Sequence, residues 1–529
     1  MSFSFFLSCL LTFFSIASSS VSLSLSLTLC LSFYQITNRP LLTFPQRRQS
    51  SVSPAPRMNL IRVVTALLVL LAPAVVAVAP VVIQAQQFVN SHSHKRLLVL
   101  GVDYQPGGSA AYKPENGRDP LSDGDACLRD AAILQMLGAN AIRVYTVNPV
   151  TNHDLCMSIF NAAGLYVILD VNSALPNENL NRADPKSSYH RHYLQRVFAV
   201  IEAFKHYPNT LAFFAGNEVI NEDAVKNVGI YLRAIIRDMK QYIDHNSDRK
   251  IPVGYSAADI RPILEDTGNY LSCEIADSPG SGIDFLGLNS YSWCGDASYT
   301  SSGYDKLAAL FSGASFPVFF SEYGCNAVKP RKFTEVGAIY GEQMTQALDG
   351  GLVYEFSQEA NNYGLVQLND DNSATLLTDY DNLLKQYRKL NITLLESLDP
   401  ATTNIKPARC SSDLIKDAKY FENNFKLPDP PDGVPEMIKN GIPNPPMGKL
   451  VNITDTKPKY DVLDSNGHVL SLEMKILNDF QSNVPGQNIS GVPGPTADNN
   501  TKKAAANSMT SFNTLSLVAL LTGLTLLII

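Results

Sequence analysis

Charge is what this chain is short of. Of its 529 residues only 17% are charged, 42 Lys+Arg against 49 Asp+Glu, for a formal net charge of −7. No long Lys/Arg run occurs, and a mildly acidic chain without one is not built to bind nucleic acid. No Cys-x-x-Cys pair occurs either, so the usual zinc framework is missing and no metal is expected. Outside the first residues there is no internal repeat. Against these absences stands a hydrophobic fraction of 45%, high enough to suggest a membrane protein until its distribution is considered. The length allows a sizeable core without metals or extra chains.

Much of the apolar excess lies at the two ends. Ser18–Leu31 reads SSSVSLSLSLTLCL, and residues 1–57 have the character of a low-complexity leader or gene-model extension. Met58 then opens a basic, apolar and small-residue sequence (NLIRVVTALLVLLAPAVVAVA) with the grammar of a secretory signal peptide, assigned to 58–86 with cleavage inside Ala77–Gln87. At the far end Leu515–Ile529 is an apolar tail preceded by a polar spacer and by Ala504, Ala505, Ala506, Asn507 and Ser508. That order is the signal for exchange onto a glycosylphosphatidylinositol (GPI) anchor, and no basic cytoplasmic stop follows it. The chain is therefore expected outside the cell, held to the outer face of the plasma membrane or passed into the wall, with 507–529 removed.

Cysteine usage agrees with export. Beyond the leader there are six, Cys127, Cys156, Cys273, Cys294, Cys325 and Cys410, and an even set in a secreted chain implies disulfides. Fifteen pairings remain open for six cysteines. Asn-x-Ser/Thr sequons at Asn391, Asn452, Asn488 and Asn499 mark a late tract open to glycosylation.

Between Leu97 and Gly351 short apolar runs alternate with longer amphipathic ones, the pattern of strand-helix units. Eight runs read as strands: Leu97–Tyr104, Ala141–Val147, Leu165–Val171, Leu211–Glu218, Ile251–Ser256, Phe285–Tyr291, Pro317–Tyr323 and Gly351–Phe356. Their near-continuous apolarity suits strands buried on both faces. Val225, Val228, Leu232, Ile235, Met239, Tyr242 and Ile243 form one helical stripe between two of them. The expected fold is an α/β (β/α)₈ barrel over 95–410, with an open doubly wound sheet as the alternative; a barrel would carry its site at the strand C-terminal ends. A Pro-rich extension over 411–482 is expected to pack on the barrel. Within it Leu427–Lys449 reads as an extended linker and Leu450–Asp479 as a few strands, with a flexible stalk over 483–506.

The fourth predicted strand ends Asn217-Glu218 and the seventh ends Ser321-Glu322-Tyr323. Carboxylates at those ends face each other across a barrel mouth, where partial burial tunes their affinity for protons. Glycoside cleavage needs such a pair, one acid for the leaving oxygen and one carboxylate to attack the anomeric carbon if configuration is retained. Taken singly, each glutamate also suits a helix cap or an ion pair. Asn217 adds a neutral donor for a sugar hydroxyl, or else a turn residue.

Gly101–Gly108 (GVDYQPGG), Asp125–Pro149, Phe213–Asn221 (FFAGNEVIN), Pro252–Asp259, Tyr291–Gly295 (YSWCG), Pro317–Asn326 (PVFFSEYGCN) and Gly350–Val366 together closely resemble the fungal GPI-anchored cell-wall β-1,3-glucanosyltransferases. The resemblance runs from about Leu97 to Cys410. It implies a retaining transglycosylase on a (β/α)₈ barrel, with Glu218 as acid/base and Glu322 as nucleophile. It further implies Tyr145, Asn217 and Tyr354 on the donor side, Asp259 and Arg261 beside Glu218 on the acceptor side, and Gln105, Asp170, Tyr291 and Tyr363 along the groove. A tyrosine there can stack on a glucose ring and still donate its hydroxyl. The implied disulfides are Cys127 with Cys156, Cys294 with Cys325, and Cys273 with Cys410. No cysteine follows Cys410, so the cysteine-rich carbohydrate module of some members is missing.

The expected partners are a β-1,3-glucan donor and acceptor and, through the lipid anchor, the membrane; no cofactor is needed and a monomer is expected. Two rivals stand beside transglycosylation: an endo-β-1,3-glucanase with water as acceptor, and a wall-bound glucan-binding protein on an inactive barrel.

Overall fold

The computed structural model describes residues 78–488, apart from 223–225 and 423. The leader at 1–57, residues 58–77 of the signal segment, Val225, Asn499, the stalk beyond 488 and the anchor signal lie outside the described residues.

The described chain begins with a hairpin, β1 (Val81–Gln84) antiparallel to β2 (Gln87–Asn90). Eight parallel strands follow and close on themselves: β3 (Val99–Asp103), β4 (Ala141–Val144), β5 (Tyr166–Asp170), β6 (Thr210–Asn217), β7 (Val253–Ala258), β8 (Phe285–Asn289), β9 (Val318–Tyr323) and β10 (Gly350–Val353). Each lies within one of the predicted runs to a residue or two. Closure comes from β10 pairing with β3, Gly350 opposite Val99 through Val353 opposite Val102, and it excludes the open sheet.

Alternation along each strand sorts the side chains. Val99, Ala141, Tyr166, Ile168, Ala212, Phe214, Phe285, Phe319 and Leu352 point inward, while Leu100, Val102, Ile142, Val144, Val167 and Leu169 meet the surrounding helices. Two or four residues up from the inward apolar layer, the same side of the sheet carries Asp103, Arg143, Asp170 and Asn289. A period of two thus stacks a greasy floor under a polar mouth. The outer stripe behaves as expected: on the helix Val228–Asn246, residues Leu232, Ile235, Met239, Tyr242 and Ile243 are all buried.

The hairpin plugs that floor. Phe88 packs against Phe285 and Phe319 with ring centroids 5.6 and 5.8 Å away, Val78 and Val81 are buried beside it, and the Tyr166 hydroxyl donates to the Ala79 carbonyl at 2.7 Å. Asp349 fastens it from below, accepting from the Phe88 N–H at 3.3 Å and from Arg96 Nε at 2.6 Å. Val78 and Val81 fall inside the segment assigned to a signal peptide ending at 86, yet they pack into the barrel floor.

Three disulfides join Cys127 to Cys156, Cys273 to Cys410 and Cys294 to Cys325. Beyond Cys410 the chain straps the barrel, and two expectations about it are corrected. The Pro-rich linker contains a helix, Val434–Asn440, because Pro435 sits in the first turn where its missing N–H is not needed; Val434, Met437 and Ile438 are buried. The stretch after Leu450 contributes only β13 (Val462–Leu463) and β14 (Val469–Leu470), which complete a four-stranded sheet with β11 (Val366–Leu368) and β12 (Ala374–Leu376). The stalk does not begin at 483: Asn483 is fully buried and its side-chain amide donates to the Gln135 and Ala139 carbonyls at 3.0 and 2.8 Å. The helix Gly124–Leu137 ends there: the Gly138 N–H already caps the Leu134 and Gln135 carbonyls, and Asn483 adds a second donor to Gln135 and one to Ala139 just beyond the helix.

Phe88→Ala should cost about 3–5 kcal/mol in urea unfolding; a loss under about 1 kcal/mol would show that the hairpin is not part of the folded unit. Burial holds the Asp349 carboxyl up at about 6 against the opposing pull of Arg96. Folded Asp349 therefore binds its proton more tightly than the unfolded chain does. Its contribution is complete below about pH 4 and is lost as the pH rises through the folded value. Asp349→Asn should flatten the decline in unfolding free energy between about pH 4 and 6; an unchanged slope would assign the decline elsewhere.

Candidate active site

The polar mouth is built around a fully buried cation. Arg143, opposite Asp103 in the β3–β4 register, points into the barrel and holds Asp170 with two bonds, Nε to Oδ1 at 3.0 Å and Nη2 to Oδ2 at 2.9 Å. Its Nη2 also donates to Asn217 Oδ1 at 3.1 Å, and Nη1 reaches the Ser321 carbonyl at 3.3 Å and Glu322 Oε1 at 3.4 Å. The guanidinium lies 4.3 Å from the Tyr145 ring centroid and 4.5 Å from that of Phe214. Planar donors stacked between rings have little freedom to turn.

Glu322 is 8% exposed and receives the Tyr291 hydroxyl on Oε2 at 2.6 Å and the Tyr145 hydroxyl on Oε1 at 2.8 Å. Burial pushes its carboxyl up, opposed by Arg143 and the two tyrosines, with the charge of Glu218 adding to the rise. Both tyrosine hydroxyls are held firmly protonated, first by burial and then by neighbouring carboxylates, Glu322 among them. The carboxylate is thus fixed on both oxygens.

Glu218 follows β6 in a left-handed backbone conformation, φ 51°, with its N–H bonded to the Ser256 carbonyl at 2.8 Å. A bulky residue adopts that conformation at a cost that its surroundings must cover. The strand register slips between Phe214 and Asn217 on β6 and again before Glu322 on β9. Bulges of this kind re-aim side chains at barrel rims, and here each precedes one of the two glutamates.

Asn289 ties the two halves together. Its Oδ1 accepts the hydroxyls of Ser256 and Ser321 at 3.0 and 2.7 Å, which turns its amide nitrogen toward Glu218 Oε1 at 2.9 Å and Asn217 Oδ1 at 3.1 Å. Asn217 Oδ1 is then engaged by both Asn289 and Arg143, so its own amide nitrogen is the group turned outward for a ligand. A continuous chain runs Glu218, Asn289, Asn217, Arg143, Glu322. Gly287 makes room for it, since a Cβ there would lie 2.5 Å from Ser321 Oγ.

Tyr145, Tyr291, Tyr354 and Tyr363 form the wall above, with centroids 6.4 Å apart for Tyr145 and Tyr354, 5.6 Å for Tyr291 and Tyr363 and 5.3 Å for Tyr354 and Tyr363. Asp259 and Arg261 also come together: Arg261 Nη2 donates to Asp259 Oδ2 at 2.9 Å and Nη1 to the Gly303 carbonyl at 3.0 Å, while Ser290 donates to Asp259 at 2.6 Å. Gln105 and Asp170 differ from the expectation that they line the groove. Both are 4% exposed and stand behind it, Gln105 accepting from the Tyr145 and Thr146 N–H groups and Asp170 holding Arg143. Of the sequons, Asn391 and Asn452 are exposed, whereas Asn488 is partly buried and donates to Asn483 at 2.8 Å.

Sequence reasoning passed over Arg143, Asn289, Arg331 and Asp103. The available signal was a charge or amide on the inward register of an otherwise apolar strand. Arg331 had no such signal: it is buried, pairs with Asp379 at 2.7 Å and donates to the Tyr354 carbonyl at 2.6 Å, bracing the loop that carries Tyr354 and Tyr363.

The profile of the family described as glucanosyltransferase matches residues 71–391. This chain belongs to the glucanosyltransferase family. Among its relatives, 1,3-beta-glucanosyltransferase gel2 of Aspergillus fumigatus is 55% identical over 422 residues, covering 80% of this chain and 88% of that one. Probable 1,3-beta-glucanosyltransferase GAS3 of Saccharomyces cerevisiae is 45% identical over 395 residues, 71% of this chain and 75% of its own. Of solved structures, a mutant of Saccharomyces cerevisiae Gas2p in complex with laminaritetraose and laminaripentaose superimposes with a TM-score of 0.59 at 36% identity, covering 67% of this chain and 76% of that one. The glucanosyltransferase fold of those structures is the barrel described above.

Asn289→Ala removes the group that orients Glu218 and Asn217 and strands two buried serine hydroxyls. It should lower stability by about 1–3 kcal/mol, read by thermal unfolding, while leaving the three disulfides formed. A fully stable variant would mean that Ser256 and Ser321 satisfy each other, as their 2.9 Å separation allows.

Proposed function

We propose that the chain is a retaining β-1,3-glucan transglycosylase that cuts an internal linkage of one glucan and joins the new reducing end to the non-reducing end of another. The observation that carries the residue assignment is the single hydrogen-bonded chain linking Glu218 to Glu322 through Asn289, Asn217 and Arg143. The names of the relatives and the laminari-oligosaccharides bound to Gas2p support the substrate class.

In this reading Glu322, pinned by Tyr145, Tyr291 and Arg143, attacks the anomeric carbon. Glu218 gives its proton to the departing glycosidic oxygen, and a glycosyl ester on Glu322 results. Glu218 then takes the proton of an acceptor 3-hydroxyl, whose oxygen displaces Glu322 and restores the β configuration. The amide nitrogen of Asn217 binds a donor hydroxyl, and the tyrosine wall stacks on the glucose faces. Asp259 and Arg261 flank the acceptor side.

The same reading places the protein outside the cell on a GPI anchor. No helix among the described residues is long and apolar enough to cross a membrane. Because Val78, Ala79 and Val81 fill the barrel floor, we place leader cleavage before Val78 rather than at 86. N-terminal sequencing of secreted protein should find Val78 retained; a mature chain starting at Gln87 would contradict this placement.

Glu322→Gln should abolish elongation of a reduced laminari-oligosaccharide, and Glu218→Gln should slow it about 10²–10⁴-fold, both with the fold intact by circular dichroism. Products longer than the substrate in chromatography distinguish transfer from hydrolysis. Tyr291→Phe removes a bond that favours the ionised nucleophile. The acid limb of kcat/KM should therefore move to higher pH; a limb that stays or falls would detach that limb from Glu322.

A further inference from the structure

Asp103 ends β3 in the middle of the site, and nothing in the mechanism above uses it. It is fully buried, and neither of its carboxyl oxygens has a hydrogen-bond partner among the described residues. Its backbone is fixed by the Phe356 N–H, which donates to its carbonyl at 2.8 Å.

Its cross-strand neighbour is the buried cation Arg143, yet that cation is spent. A guanidinium has five N–H bonds. In Arg143 the Nε bond goes to Asp170, the Nη2 pair to Asp170 and Asn217, and the Nη1 pair to the Ser321 carbonyl and Glu322. None remains for Asp103. An ionised Asp103 would be a buried anion without a donor, beside Glu322 and Asp170, a state that burial penalises heavily.

We propose, on the reading that Glu322 is the nucleophile, that Asp103 is a positioning residue which stands in the resting enzyme as a neutral acid, so that Glu322 and Asp170 alone share Arg143 and the nucleophile keeps its negative charge. The groups facing Asp103 fit this assignment. They are Arg143 and Tyr145 from β4 and the residue after it, Asp170 from β5, Glu322 from β9, Glu355 and Tyr354 beyond β10, and Tyr291 beyond β8. Burial, then Glu322, with Asp170 and Glu355 adding, pushes the Asp103 carboxyl well above the ordinary range, and Arg143 opposes them without prevailing. The charge of Glu322 is among the groups that hold the proton on Asp103, so the two carboxyls titrate as neighbours rather than alone. Placing the spare acid under the site fills the space without competing for the donors that hold Glu322.

Infrared difference spectroscopy tests this directly. At neutral pH the wild-type minus Asp103→Asn spectrum should contain a protonated-carboxyl carbonyl band. In a Glu322→Gln background the same band should titrate at a pH lower by about one unit or more, because the neighbouring anion is gone. An Asp103 ionised at neutral pH would give no such band. In the pH profile of Asp103→Asn the acid limb of kcat/KM should keep its position whatever happens to its height. If Asp103 were ionised, removing its charge would move that limb down by about one unit. A missing band, a band that ignores Glu322→Gln, or a limb displaced to lower pH each overturns the proposal. Should Asp103→Asn fail to fold, Asp103→Ser supplies the reference for the same difference spectra, in wild type and in the Glu322→Gln background. Retained transfer in Glu322→Gln would instead overturn the nucleophile assignment, a separate result from a separate assay.

Discussion

One buried cation organises the mouth of this barrel. Arg143 is wholly enclosed, and an arginine in that position is tolerated only because every one of its donors is satisfied. Satisfying them brings together residues from four strands: Asp170 of β5, Asn217 of β6, and Ser321 with Glu322 of β9, around Arg143 of β4. The position of Glu322 is thus set by the demands of Arg143 as much as by its own strand. The tyrosines above complete a cage in which one carboxylate is held on both oxygens.

Such a cage needs a rigid base, and the hydrophobic effect supplies it. The inward aromatic layer of Phe214, Phe285 and Phe319, closed from beneath by Phe88 of the hairpin, leaves no room for the strands to shear. The disulfide from Cys294 to Cys325 ties the loop after Tyr291 to the loop after Glu322, and the one from Cys273 to Cys410 anchors the start of the strap. The strap adds further enclosure through polar contacts such as those of Asn483, where its own apolar content is low. Stability and site geometry therefore share the same elements: what keeps the barrel closed also keeps the carboxylates in place.

The architecture was legible because it rests on composition along the chain. Eight apolar runs separated by amphipathic stretches mark strands buried on both faces, and the two glutamates stand out as carboxylates at the ends of such runs. The strap was harder to read. Val434–Asn440 becomes a helix with its apolar residues packed beside Val228–Asn246, and Asn483 is buried where it donates to the Gln135 and Ala139 carbonyls; neither contact is local to the segment. The hairpin was hidden for the opposite cause. Its apolar residues merge with the hydrophobic stretch before it, and only packing under the barrel separates 78–90 from a signal segment.

By itself the sequence determined the number and order of the barrel strands, the placing of Glu218 and Glu322 at two strand ends and, through its resemblance to a family, the disulfide pairing. Tertiary structure alone decided what surrounds those carboxylates. Arg143, Asn289 and Asp103 are separated from Glu322 by long stretches of chain, and their meaning lies in which strand neighbours which and in how each register slips. Periodicity records which side of a strand a residue faces. Only closure of the barrel decides whom it meets there, and with that which charges are paired and which must stay neutral.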